Sequence, residues 1–237
     1  MKIRKACLLI FLLIAGNFLH GQIYMKPGIT AGPSFTWPDG TSRLSDGFFG
    51  VTRTAFQAGI CNTFQAGNHF FSKISLLYAM QNFAVRQTGI PAWRTDIRYR
   101  ISRLEIPLVA GTSGFLGSLR HREYLGASLS LRMAEQPTVN LSGDSLKVHQ
   151  YVTKADLTKQ TAVLLMAGFE VGTTFKNDAS LFFGGFIKWG LDQLYAASFE
   201  SNHFNQQQIN FKGSYAGLEI TYYFPRYTYW FKREFTF

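Results

Sequence analysis

Two long stretches of this chain alternate between a largely apolar parity and one richer in small or polar residues. In "TAVLLMAGFEVGTTF" one parity holds Val163, Leu165, Ala167, Phe169 and Val171, while the other holds Met166, Gly168, Glu170, Gly172 and Thr174. In "YAGLEITYYF" the residues Ala216, Leu218, Ile220, Tyr222 and Phe224 stand on the opposite parity to Gly217, Glu219, Thr221 and Tyr223. A period of two sustained this long is a β-strand, whose side chains leave alternate faces. No long stretch keeps a period of 3.6, and no segment beyond the N-terminal region approaches the roughly 18 apolar residues of a membrane-crossing helix.

Followed along the whole chain, the pattern predicts eight strands, at about 23–37, 54–65, 69–85, 98–112, 122–133, 160–175, 179–191 and 209–224. The connections are unequal. "AGN" (Ala66 to Asn68) and "KND" (Lys176 to Asp178) are tight-turn material, whereas the links after the first, third, fifth and seventh strands are long, that of 134–159 the longest. Turns therefore collect at one end of the sheet and loops at the other. An even count of long antiparallel strands with this asymmetry predicts an all-β fold, an eight-stranded up-and-down transmembrane barrel with short periplasmic turns and longer extracellular loops. A soluble lipocalin-like ligand-binding barrel shares the alternation but reverses the faces. Strand length, a low charged fraction and a polar parity occupied largely by glycine favour lipid over water on the outside.

Composition sharpens this picture. The 237 residues are 46% hydrophobic and 16% aromatic but only 16% charged, against about a quarter charged in a typical soluble domain. The opening "MKIRKACLLIFLLIAGNFLHGQ" places Lys2, Arg4 and Lys5 before an apolar run from Ala6 to Ala15, with Gly21 before Gln22. This is the pattern of an export signal over 1–21, and the break at Gly16 and Asn17 argues against a retained anchor helix. Cys7 would leave with the signal and Cys61 would remain alone, so no internal disulfide is expected. Twenty-four Lys and Arg less the three of the signal, against 14 Asp and Glu, leave a formal charge of +7. On an exported chain that excess suits lipid phosphates. Nucleic acid is the weaker reading and is not expected as a partner, because the basic residues are spread out and form no helical stripe or binding motif.

An Ala-Gly pair recurs at Ala31-Gly32, Ala58-Gly59, Ala110-Gly111, Ala167-Gly168 and Ala216-Gly217, each glycine on the polar parity, as are Gly28, Gly126 and Gly184. Small residues are what the crowded interior of an eight-stranded barrel requires. The same parity holds Glu105, Glu170 and Glu219, with Lys26, Lys73, Arg103, Arg132 and Lys188 available opposite them. Isolated buried charges are costly, so these groups should pair. Such a set is either an ion or proton path or a salt-bridge plug, and the narrow lumen favours the plug.

With the strands in place, the chain resembles the outer membrane protein beta-barrel domain family of Bacteroidota, the PorT-like group. The likeness is carried by "LEIPLVAG" (Leu104 to Gly111), "YLGASLSLRM" (Tyr124 to Met133) and "YAGLEITYYF" (Tyr215 to Phe224). It implies an outer-membrane barrel in a Gram-negative cell envelope, formed by residues 22–224, and it carries no catalytic residues to transfer. The departure is the tail of 225–237, since such chains commonly stop close to that final Phe. Pro225 cannot donate to a ladder and ends the eighth strand. A ninth strand built on the alternating tail would give an odd count. The tail is instead expected at the periplasmic interface, with Trp230 and its tyrosines at headgroup level and Arg226, Lys232 and Arg233 near lipid or a periplasmic, secretion-system partner.

Catalytic chemistry is not legible. His20, His69, His121, His149 and His203 are scattered without zinc-ligand spacing, and no nucleophile elbow, P-loop or HExxH motif is present. A lipid-modifying site at the outer rim would need His149 or His203 with Asp144, Ser145, Glu200 or Ser201. "PDGTSRLSDG" offers Asp39 and Asp46 but lacks the oxygen spacing and closing Glu of a calcium loop. No catalytic, cofactor-binding or metal residue is therefore assigned. A local excess of Arg86, Arg94, Arg98 and Arg100 over Asp96 is expected to meet lipopolysaccharide phosphates at the outer rim. The expectation is a monomeric, non-enzymatic barrel with a structural, adhesion or secretion-assembly role. Its rivals are a lipid-modifying barrel enzyme and the soluble barrel.

Overall fold

The computed structural model describes residues 23–36, 48–66, 69–87, 93–143, 152–156, 160–191, 195–201 and 204–225. Its strands are β1 (Ile23–Thr36), β2 (Phe48–Ala66), β3 (Phe70–Gln87), β4 (Trp93–Leu116), β5 (Leu119–Gly143), β6 (Val152–Asp156), β7 (Thr161–Thr174), β8 (Ser180–Gly190), β9 (Tyr195–Ser201), β10 (Phe204–Phe211) and β11 (Tyr215–Tyr223). Eight of them close a barrel in the order β1-β11-β8-β7-β5-β4-β3-β2, every pair antiparallel. The seam is formed by β1 and β11, with Gly28 opposite Tyr223 and Thr36 opposite Tyr215. The expected eight-stranded meander is the observed fold.

Three corrections concern the long-link end. The run of 209–224 is not one strand: Ile209 to Phe211 end β10, and the barrel strand starts at Tyr215 after a break containing Gly213 at φ 76°. The long link of 134–159 is in part β5, which continues to Gly143, and in part β6. A second sheet, ordered β10-β9-β6, is built entirely from this end of the chain's links. It escapes a reading by alternation because its members are short and one of them, β6, spans five residues.

The barrel wall is also uneven in height. β7 begins opposite Leu131, yet β5 runs on to Gly143, twelve residues further, or about 40 Å at about 3.3 Å per residue. Alternation is lost there for a local reason. Ser102 stands opposite Ala134 while Arg103 stands opposite Arg132, so Met133 is an extra residue that reverses the parity of β5 beyond it.

The faces decide what surrounds the barrel. Ile29, Ile60, Ile74, Leu108, Leu125, Leu165, Phe183 and Leu218, one from each barrel strand, are all exposed, Leu125 at 70%. Inside are Glu105, Glu170 and Lys188, each 0% exposed, with Lys73, Arg103, Arg122 and Glu219 also buried. A soluble barrel has the opposite arrangement, so the lipocalin-like alternative is excluded by the orientation of the side chains.

The opposite end is trimmed to turns. In the turn after β7, Asp178 N–H donates to the Phe175 carbonyl at 3.0 Å and Phe175 N–H to that of Ala179 at 2.8 Å. Between β4 and β5, Gly117 has φ 62°, and a Cβ there would meet nothing within 4 Å. A side chain at this position is penalised by backbone conformation alone. Gly117→Ala is therefore expected to cost about 1 kcal/mol, read as a lower urea midpoint for loss of the strand circular dichroism. An unchanged midpoint would contradict the left-handed turn.

Candidate functional site

The lumen is where ionisable groups converge, at two levels. Nearer the short turns, Lys73 on β3 forms an ion pair with Glu170 on β7 and reaches Glu219 on β11 at 3.5 Å. Neither partner strand is a neighbour of β3 in the barrel order, so this one ammonium ties separate walls together. Arg122 stands opposite Glu170 in the β5–β7 ladder and lies 3.5 Å from it. Its guanidinium lies over three rings, with centroids at 4.2 Å (Phe182), 5.0 Å (Phe71) and 5.1 Å (Tyr223). Delocalised, weakly hydrated charge is suited to such a setting. Glu219 also accepts hydrogen bonds from Tyr124 Oη at 2.7 Å and Thr30 Oγ1 at 3.3 Å.

Nearer the long links, Glu105 is the hub. Lys188 Nζ and Tyr215 Oη each donate to its Oε2 at 2.6 Å, and Ser130 Oγ donates to Oε1 at 3.4 Å. Lys188 donates further to Gln57 Oε1 at 3.2 Å. Tyr215 on β11 and Glu105 on β4 are four strands apart in a ring of eight, so their bond crosses the full diameter. Arg103 donates to Gln81, whose amide donates to the Gly213 carbonyl at 3.2 Å.

Glycines make room for this crowd. Tyr124 stands between Gly111 and Gly168 on its two neighbouring strands, and a Cβ on Gly168 would overlap the Tyr124 ring. The same relation repeats around the wall: a Cβ on Gly217 would lie 2.5 Å from Phe186 Cζ, one on Gly172 2.6 Å from Phe182 Cγ, and one on Gly28 2.9 Å from Tyr223 Cδ1. Of the recurring Ala-Gly pairs, those at Gly168 and Gly217 mark where an inward ring lies across a neighbouring strand, whereas Gly32, Gly59 and Gly111 lie against neighbouring backbone.

No protein-family model matches the chain, and no curated protein matches it. Among solved structures it is similar to the outer membrane protein OprG from Pseudomonas aeruginosa, with a TM-score of 0.55 and 14% identity over 87% of this chain and 99% of that one. Neisserial surface protein A aligns at a TM-score of 0.37 and 12% identity, over 86% of this chain and 99% of that one. The translocator domain of the autotransporter NalP from Neisseria meningitidis aligns at 0.32 and 11%, over 94% and 96%. The likeness to OprG is one of fold, and the other two alignments are too loose to carry an argument.

Of the interior charges expected from sequence, Glu105, Glu170, Glu219, Lys73 and Lys188 meet in the network. Three are placed differently. Arg103 bonds Gln81 rather than a carboxylate, Arg132 is only half-buried, and Lys26 sits at the turn end, donating to the Asp178 carbonyl at 2.6 Å and Ser180 Oγ at 2.9 Å. Sequence reasoning missed Arg122, although its parity with Tyr124 and Gly126 carried the signal. His69 is exposed at a turn, and the His121 ring packs against Gly114. The signal of 1–21, the loop with Asp39 and Asp46, Asp144, Ser145, His149, His203 and the tail beyond Pro225 lie outside the described residues. Among the described residues, no three His, Cys, Asp or Glu side chains gather as a metal-holding set. Chemically, the network holds charges in place across the lumen at two levels, which is the action of a plug.

Proposed function

We propose that this chain is a monomeric, non-enzymatic integral protein of a bacterial outer membrane, with a structural, adhesion or secretion-assembly role. The observation that carries the reading is the inverted barrel: exposed apolar side chains stand on the outside of all eight strands while Lys73, Arg103, Glu105, Arg122, Glu170, Lys188 and Glu219 are buried inside. Only a hydrocarbon surrounding makes that arrangement favourable, and a closed barrel is the form in which strands satisfy every backbone group there. The fold likeness to OprG supports the same setting. A finer kinship with PorT-like barrels belongs to this reading and rests on the segments Leu104 to Gly111, Tyr124 to Met133 and Tyr215 to Phe224, which contribute Glu105, Tyr124 and Glu219 to the network.

The direct test is fractionation of a producing cell. The protein is expected in the outer-membrane fraction, extracted only by detergent, with a gel mobility that changes on boiling. In planar bilayers it is expected to give no stable conductance, since opposite walls are joined through the lumen. Recovery in a soluble extract without detergent would overturn the reading.

A further inference from the structure

We infer that the level of the lumen nearer the long links is a binding site for a small tetrahedral oxyanion, free phosphate or sulfate. The inference goes beyond the outer-membrane reading and depends only on the closed barrel.

The two levels differ in how their buried charges are matched. Nearer the short turns, Lys73 and Arg122 face Glu170 and Glu219, two cations against two carboxylates. Nearer the long links, the buried cations are Arg103 and Lys188, and the buried carboxylate they share is Glu105. Lys188 holds it at 2.6 Å, with Tyr215 and Ser130 as further donors. Arg103 is left with the neutral Gln81 at 3.3 Å, and no carboxylate pairs with it among the described residues. It also stands directly opposite Arg132 in the β4–β5 ladder, like charge against like. A buried guanidinium in this position is costly unless an anion answers it.

The unmatched charge coincides with unmatched donors. Among the described residues, Arg103 Nε, Gln57 Nε2, Ser34 Oγ and Thr36 Oγ1 are buried without a hydrogen-bond partner. All four can donate, and none is restricted to accepting. At the other level the leftover atoms answer each other, since Arg122 Nη1 and Glu170 Oε2 lie 3.5 Å apart. Backbone pairing gathers the four donors on one side of the lumen. Gln57 and Arg103 flank Ala79, opposite it on β2 and on β4, while Ser34 and Thr36 on β1 stand opposite Ala55 and Arg53, the inward positions that follow Gln57 on β2. The small Ala55 and Ala79 leave space between the longer side chains. Lys188 donates to Gln57 Oε1 at 3.2 Å, which fixes the amide with its NH2 group as the free end.

This geometry selects the ligand. Donors that arrive from β1, β2 and β4 meet four tetrahedral oxygens better than the two oxygens of a planar carboxylate, and the guanidinium fork matches two of them at once. An eight-stranded lumen admits little more than side chains, so the ion is free rather than the headgroup of a lipid. Arg53 and Arg132 have interactions of their own and are only half-buried, so the long-link end gives a way in.

The test uses the whole protein folded in detergent and exchanged into buffer free of phosphate and sulfate, at constant ionic strength. Titration calorimetry should show one saturable site for inorganic phosphate and for sulfate, with acetate weaker. Arg103→Gln should weaken phosphate binding about tenfold to a hundredfold, the range for losing a hydrogen bond to a charged group. Heat-dependent gel mobility verifies that the variant folds. Gln57→Glu is the second variant, because it keeps an acceptor for Lys188 and builds an anion into the site. It should abolish phosphate binding and raise the urea midpoint in phosphate-free buffer, whereas saturating phosphate should raise the midpoint of the wild type alone. The inference is overturned if folded wild type shows no saturable phosphate binding, if a folded Arg103→Gln variant binds as wild type does, or if Gln57→Glu keeps wild-type affinity. Displacement of phosphate by phosphatidylglycerol added to the micelle would also overturn it, by making the ligand a lipid. None of these results touches the outer-membrane reading, which fractionation decides separately.

Discussion

Glu105→Leu is expected to destabilise the barrel by about 3–5 kcal/mol, because removing one partner strands a buried cation. Lys188 is 0% exposed and would keep only Gln57 and Tyr215 as partners. The measurement is the urea concentration at which the heat-sensitive compact band disappears from a gel of detergent-folded protein. The double variant Glu105→Leu/Lys188→Met should regain most of the loss, since replacing an entire buried pair with apolar groups is often neutral. If the single variant unfolds at the wild-type midpoint, the two-level plug is not what holds the lumen together.

Gly168→Val is the second large effect. A branched side chain there would occupy the volume of the Tyr124 ring, and the backbone carbonyl of Gly185 lies close on the other side. Tyr124 must leave, and with it the hydrogen bond to Glu219. Overpacking costs about 1–3 kcal/mol and loss of a hydrogen bond to a charged group about 1.5–3 kcal/mol, so about 4 kcal/mol is expected in total. Tyr124→Phe provides the comparison, because it removes the hydroxyl and leaves the ring in place. It should lose only the hydrogen-bond part. Equal losses in the two variants would mean that the glycine is not making room for the ring.

The barrel was legible because each wall strand has one face in an apolar setting and the other in a polar one. That contrast is written directly as parity, so β7 and β8 were located to within a few residues and Glu105, Glu170 and Glu219 were assigned inward correctly. Legibility fails where the cause of alternation fails. In the upper part of the β4–β5 pair the extra residue at Met133 shifts the phase. The end of β5, with Pro137 inside it, consequently reads as loop. The break at Gly213 was hidden for a different reason: "NFKGSYAG" continues to alternate through it, and only the pair Gly213-Ser214 hints at a turn. Partner choice in the lumen was beyond sequence altogether. Parity says that Lys73 points inward, but not that it reaches past its neighbours to β7 and β11.

Those long reaches have a consequence for how the chain folds. Lys73 is 97 residues from Glu170 and 146 from Glu219, and Glu105 is 110 from Tyr215. No pair of adjacent strands contains these partners, so a partly assembled wall would carry Lys73, Lys188, Glu105 and Glu219 without them, and of the glutamates only Glu170 would face a cation, Arg122, on a neighbouring strand. Those cross-lumen pairs form only as the sheet curls closed. Insertion is thereby made all-or-none: strands must gather in a wet or sheltered place, and closure of the sheet both completes the ladder and pairs these charges.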